Sequence, residues 1–161
     1  MLDTDEFRSA LGQFATGVTV ITTLDDEGQP HSMTANAFSS ICLDPPTVMV
    51  CIAHGTNTHG YMEKTQRFGV NILNQEQKDL GAYFARRPEN RTGDVEYFYS
   101  ESENKTPVLE GSMVFFGCEV LGSHVYGDHT IYIGLVKEMR RNESGAPLMF
   151  YNSNWYNPAG D

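Results

Sequence analysis

A double proline is the firmest constraint on how this chain folds. Asp44-Pro45-Pro46 must interrupt any ladder, because proline donates no N–H and locks φ. The chain differs on its two sides. Residues 30–43 carry small and hydroxyl-bearing side chains, among them Ser32, Thr34, Ala35, Asn36, Ser39 and Ser40. Residues 47–53 form an unbroken apolar run of strand length, which predicts a strand buried on both faces. That run opens into the polar loop Gly55-Thr56-Asn57-Thr58.

Elsewhere the chain reads as short strands punctuated by turns. Phe7, Leu11 and Phe14 recur at helical spacing, so residues 4–15 predict a helix capped by Thr4 and ended by Gly17. The β-branched residues 18–24 predict a strand. Asp25-Asp26-Glu27-Gly28 turns it back into a second strand over 31–36, and residues 37–43 are assigned as strand too. Asn57 or Thr58 caps a short helix running to about Thr65. Then come a strand over 68–73, a helix over 76–84 with Leu80, Tyr83 and Phe84 on one face, a polar loop over 86–93 and a short aromatic strand over 95–99. The last third predicts strands over 112–123, 130–140 and 148–151, closed by a tail over 152–156. Many strands with a few helices and no βαβ rhythm predict a mainly β closed antiparallel barrel. With no repeat, low-complexity segment or linker, residues 1–161 are expected to form one domain.

Charge narrows the partners. A formal net charge of −10 without a basic block repels nucleic acid and anionic membrane surfaces. The three cysteines, Cys42, Cys51 and Cys118, stand far apart in apolar surroundings, which predicts reduced thiols and neither disulfide nor zinc. The five histidines show no metal-ligand spacing. The N-terminus lacks an apolar signal region, and no run approaches the ~20 apolar residues a membrane helix needs. A cytoplasmic protein is expected, in which the sequons at Asn90, Asn104 and Asn142 go unused.

Several chemistries are excluded. There is no Gly-x-Gly-x-x-Gly and no Gly-x-Ser-x-Gly, and Tyr61 stands where a Walker loop needs lysine. What remains is residues 30–58. Small side chains with polar tips let a flat ligand approach the backbone, and a helix start after a strand offers free N–H groups to an anion. This stretch reads as a platform for a flat heterocycle carrying a phosphate, or as a polar strand that merely faces water. Lys64, Arg67, Arg86 and Arg87 are the cations that could serve a phosphate. His129, between Asp128 and Thr130 at a hairpin-like turn, is either a titratable donor to a ligand or a solvated turn residue.

Taken together, six segments resemble one family. They are residues 14–23 (Phe-Ala-Thr-Gly-Val-Thr-Val-Ile-Thr-Thr), 33–40 (Met-Thr-Ala-Asn-Ala-Phe-Ser-Ser), 43–46 (Leu-Asp-Pro-Pro), 68–73 (Phe-Gly-Val-Asn-Ile-Leu), 127–130 (Gly-Asp-His-Thr) and 133–134 (Ile-Gly). In this order they resemble the short-chain flavin reductases, the reductase components of two-component flavin-dependent monooxygenases. The resemblance runs from Phe7 to Tyr156. It implies an FMN-binding split β-barrel of Greek-key antiparallel type, a homodimer, and hydride transfer from NADH or NADPH to FMN or FAD, with the reduced flavin passed to a partner monooxygenase.

The resemblance also implies a site. Met33, Thr34, Ala35 and Asn36 match the segment lining the flavin ring, with Ser39 and Ser40 behind them, and Cys51, Ile52 and Ala53 match the strand beside it. Asn57, Thr58 and His59 match the loop holding the ribityl chain and phosphate; Phe84, Ala85 and Arg86 match a bordering segment. His129 matches the histidine near the nicotinamide dinucleotide, and Tyr151, Ser153, Trp155 and Tyr156 match the tail flanking that pocket. Two departures stand out. The tail reads Ser153-Asn154-Trp155-Tyr156 where the family has Ser-Gly-x-Tyr, and residues 86–91 are unusually basic, either to hold a second phosphate, as in FAD or NADPH, or as an exposed loop. The rival readings are a redox carrier that binds FMN tightly without oxidising NAD(P)H, and an oxidase of the pyridoxamine-phosphate type, which the Gly-Asp-His signature disfavours.

Overall fold

The computed structural model describes residues 2–142 and 145–158. Helix α1 (Thr4–Leu11) is capped one residue earlier than expected: the Asp3 carboxylate accepts from the Asp5 and Glu6 amides. It ends at Gly12, not Gly17, and buries no residue. Its Phe7 and Leu11 stripe stays exposed.

Seven strands build the main sheet, all antiparallel. They are β2 (Thr19–Leu24), β3 (Pro30–Ala35), β4 (Phe38–Leu43), β5 (Pro46–Ala53), β6 (Arg67–Ile72), β9 (Val114–Tyr126) and β10 (His129–Arg141), in the order β3-β2-β6-β9-β10-β5-β4. A smaller sheet joins β1 (Thr16–Gly17), β11 (Met149–Tyr151) and β12 (Asn154–Tyr156), and β7 (Tyr99–Glu101) pairs with β8 (Pro107–Leu109). Helix α2 (Asn57–Thr65) follows β5, and α3 (Lys78–Phe84) follows a short turn of 3₁₀ helix.

The two edges of the main sheet, β3 and β4, are separated only by Asn36 and Ala37. So short a link spans at most about 11 Å, so the sheet must curl until its edges stand side by side. No ladder joins them. The expected closed barrel is therefore a split one, its rim bridged by chain instead of by strand pairing. Inside lie Ile21, Val50, Ile52, Phe68 and Tyr132, joined by the fully buried Met62 of α2.

The double proline proves to be a turn between paired strands. Leu43 pairs with Pro46 across the cis Asp44–Pro45 peptide. Strand β5 is not buried on both faces as its apolar run suggested. Val48, Val50 and Ile52 fill the barrel, while Met49, Cys51 and Ala53 are only partly covered. Only the last residue of that half-open face, Ala53, reaches the cavity described below.

A second core, with Val18, Val20, Leu73, Leu80, Phe84 and Leu148, packs α3 and the small sheet against the barrel. In the tail expected over 152–156, Asn152 and Ser153 adopt positive φ (46° and 60°) and turn the chain back, so that Asn154–Tyr156 pairs as strand β12. Of the aromatic stretch 95–99, only Tyr99 enters a strand. No helix among the described residues is long and apolar enough to cross a membrane.

Candidate active site

A cavity of about 300 Å³ opens where β3, the β5–α2 turn and the loop after α3 converge. The turn is built locally. Thr56 donates its hydroxyl to the Ala53 carbonyl at 2.8 Å and accepts from the His59 amide at 3.3 Å, so it caps α2. The cap thus falls one residue before Asn57 and two before Thr58, the two expected positions. Asn57 and Thr58 then occupy the first turn, whose amides have no i−4 partner, and both line the cavity beside Gly55.

His31 and Met33 of β3 line the same space, two residues apart and so on one face of the strand. The His31 Nε2 lies 3.0 Å from the Thr58 hydroxyl, and its ring meets Tyr61 edge-on at 4.9 Å. Burial above all, and then the nearby Arg91 charge, pull its pKa down to about 4. His31 is therefore neutral at pH 7. Between these residues Ser32 turns the other way, its hydroxyl 2.6 Å from the Tyr99 phenol. Burial pushes Tyr99 up to about 12.

The last wall is Phe84, Ala85 and the basic loop. Arg91 pins that loop. It donates to the Ser32 carbonyl at 2.7 Å and to the Arg86 carbonyl at 3.2 Å, and its guanidinium lies 5.1 Å from the Phe84 ring centre. Arg86 makes only a 3.5 Å contact with the Thr92 carbonyl.

A second, smaller cavity of about 140 Å³ shares Ala85 with the first. Thr34, Ala35, Asn36 and Trp155 line it with Val18 and Phe150. Trp155 is held edge-on to Phe150 at 5.2 Å. Gly81 makes room for it: a Cβ there would stand 3.2 Å from the indole Cζ3. Thr34 directs its hydroxyl to the Gly81 carbonyl at 2.6 Å, tying β3 to α3.

Of the residues singled out from sequence, Met33, Ala53, Asn57, Thr58, Phe84, Ala85 and Arg86 line the larger cavity, and Thr34, Ala35, Asn36 and Trp155 the smaller. The others lie elsewhere. Ser39 and Ser40 are exposed on edge strand β4. Ile52 is fully buried in the barrel core, because strand alternation turns it away from Ala53, and Cys51 is half-buried opposite Ile131. The His59 Nε2 lies 3.1 Å from the Thr130 hydroxyl, a partner it shares with His54. Tyr151 donates to Gln13 at 2.9 Å, Ser153 sits at the exposed turn, and Tyr156 is exposed. His129 is exposed at the start of β10, its Nδ1 2.7 Å from Asp128 Oδ1. It stands directly opposite Ala53 in the β5–β10 ladder, one strand from the cavity wall.

Sequence reasoning missed His31, which the i, i+2 spacing with Met33 on an edge strand could have found. Arg91 stands out in sequence only as part of the basic segment 86–91; its bond to the Ser32 carbonyl, 59 residues away on β3, has no local signal.

The donor set fits a flat ring with an anionic tail. Gly55 has nothing within 4 Å of where a Cβ would stand, Ala53 and Ala85 are small, and Asn57 and Arg87 carry side chains with no hydrogen-bond partner among the described residues.

The chain is 37% identical over 150 residues to the NADH-dependent flavin reductase of a Rhodococcus species, covering 92% of this chain and 82% of that one. It is also 37% identical to the reductase component of the flavin-dependent trigonelline monooxygenase of Acinetobacter baylyi, of which it spans 49%. Among solved structures it is similar to the styrene monooxygenase flavin reductase of Pseudomonas putida (TM-score 0.85, 37% identity, 94% of this chain and 97% of that one). The NADH:FAD oxidoreductase of Streptomyces globisporus, in complex with NAD and FAD fragments, superposes with a TM-score of 0.86 at 28% identity, covering 99% and 96%. The flavin reductase like domain model matches residues 11–159, and the chain belongs to that family.

Proposed function

We propose that residues 1–161 act as one domain, an NAD(P)H:flavin oxidoreductase that supplies reduced FMN or FAD to a partner monooxygenase. The observation that carries the reading is the pair of cavities meeting at Ala85, one with a helix start at its edge and one walled by aromatic rings. The named activities of the relatives support it. A flavin held by these residues would supply the hydride-accepting chemistry that NAD(P)H oxidation needs.

The protein's part is placement. The free amides of Asn57 and Thr58 suit a phosphate. β3 is an edge strand, so half its backbone groups lack a ladder partner. Arg91 takes the Ser32 carbonyl. By strand alternation the Thr34 N–H and C=O stand on the same open edge, where they can bond the polar rim of the ring. Ala53 and Ala85 leave room for the ring's faces. His129, steadied by Asp128, orients the nicotinamide from the neighbouring strand. A homodimer and a cytoplasmic location, where NAD(P)H is available, complete the reading.

The test is consumption of NADH and NADPH in air, with and without added FMN or FAD. Consumption that saturates with flavin is expected. A bound yellow chromophore with no consumption would overturn the reading in favour of a redox carrier.

A further inference from the structure

The larger cavity has two separate places for negative charge, and a flavin mononucleotide has only one phosphate. The first place is the start of the nine-residue helix α2, at Asn57 and Thr58. The second is the loop after α3, where three of the chain's eleven lysines and arginines line the cavity together. In a chain of net charge −10, none of the three is within ion-pair distance of a carboxylate among the described residues. Glu89 lines the same wall but pairs with none of them.

The three arginines are not equivalent. Arg91 is spent on structure: both its hydrogen bonds go to backbone carbonyls and its face covers Phe84. Arg86 has one long contact. Arg87 has no side-chain partner among the described residues, although its backbone is fixed. It is extended (φ −60°, ψ 145°) ahead of Pro88, the conformation a following proline enforces, and it begins the 3₁₀ turn at Pro88–Asn90. A guanidinium on a preset backbone, at the lip of a cavity with a second anion site, is suited to a phosphate oxygen pair.

Resting on the flavin reading above, we propose that Arg87, assisted by Arg86, forms a second phosphate subsite that makes this protein select FAD over FMN. The phosphate next to the ribityl chain sits at the start of α2. The adenylate phosphate, one P–O–P bridge further on, meets Arg87. The same chemistry could serve the 2′-phosphate of NADPH, so the experiment must separate the two sources.

Flavin affinity is measured by fluorescence titration for FMN and FAD, with wild type, Arg87→Gln and Arg86→Gln/Arg87→Gln, alongside the KM for NADH and NADPH. Both positions are exposed, and thermal melting checks that the variants stay folded. Wild type is expected to bind FAD about tenfold tighter than FMN, the value of one charge-assisted contact. Arg87→Gln should raise the FAD Kd by about that factor, leave FMN within about twofold, and leave the ratio of NADPH to NADH KM unchanged. A loss confined to NADPH would overturn the FAD assignment. Equal loss for both flavins, or none, would overturn the subsite. Neither result touches the reductase reading, which fails separately if wild type oxidises no NAD(P)H with either flavin.

Discussion

The Arg91 guanidinium reaches across 59 residues of sequence to donate to the Ser32 carbonyl at 2.7 Å. This bond satisfies an acceptor on the open edge of β3, and it also closes the basic loop over the cavity. One side chain thus sets both the strand edge and the loop that face the ligand.

Arg91→Ala should therefore act twice. Losing two charge-assisted bonds and the Phe84 stacking is expected to cost about 1–3 kcal/mol, seen as a lower urea midpoint. The freed loop should also be cut faster by trypsin after Arg86, since Arg87 is protected by Pro88. Arg91→Lys should not restore either property, because an ammonium cannot bond two carbonyls and cover a ring at once. Unchanged midpoint and cleavage in Arg91→Ala would show the latch to be idle.

His31 makes the cavity wall sensitive to acid. Its pKa falls from an ordinary 6.5 to about 4 in the folded chain, mainly through burial and then through Arg91. A histidine kept neutral in the fold but free to protonate when unfolded stabilises the fold above pH 6.5. That contribution is lost as pH drops from 6.5 towards 4. Wild type should then lose more stability over this window than His31→Gln, which retains a polar partner for Thr58. Carboxylate titration affects both proteins and cancels in the comparison. Parallel stability curves for the two would refute the assignment.

Much of the fold was legible because its signals are local. The β-branched run at Val18 to Thr23, the turn at Gly28 and the apolar stretch ending at Ala53 each announce themselves within a few residues. The misses have physical causes. Asp3 outcompeted Thr4, and Thr56 outcompeted Asn57, as helix caps, a shift of one residue that local pattern cannot resolve. The strand in the tail carries no local signal, because its pairing with β11 depends on positive φ at Asn152 and Ser153, neither of them glycine. At the site, Ala53 and Met33 could be placed from motif order. Ile52 could not, because quoting three consecutive strand residues ignores that the middle one faces the other side. His31 and Arg91 depend on contacts from distant elements.

His129 offers a test of the nicotinamide side. It is exposed, opposite Ala53, and bonded to Asp128, whose carboxyl it holds below the usual range through that bond and its charge. His129→Ala should leave the melting temperature close to wild type. Loss of one hydrogen bond to the dinucleotide would raise its KM about five- to tenfold, with flavin Kd changed less than twofold. If flavin and NAD(P)H suffer equally, His129 is not a nicotinamide residue.

Gly134 tests the barrel that carries the site. It lies in β10 at a register shift against β9, and a Cβ there would clash with Cζ of the fully buried Phe68. Phe68 cannot retreat, because it belongs to the same packed core as Tyr132 and Ile52. Gly134→Ala should therefore destabilise by about 1–3 kcal/mol through overpacking, more than the strand entropy alanine recovers. Gly122, on the partner strand, has nothing within 4 Å of its Cβ position, so Gly122→Ala is expected to be neutral or slightly stabilising. Urea midpoints for the pair decide the matter. Equal behaviour of the two variants would mean that Phe68 yields, and that the barrel interior beneath the cavity wall is softer than its packing implies.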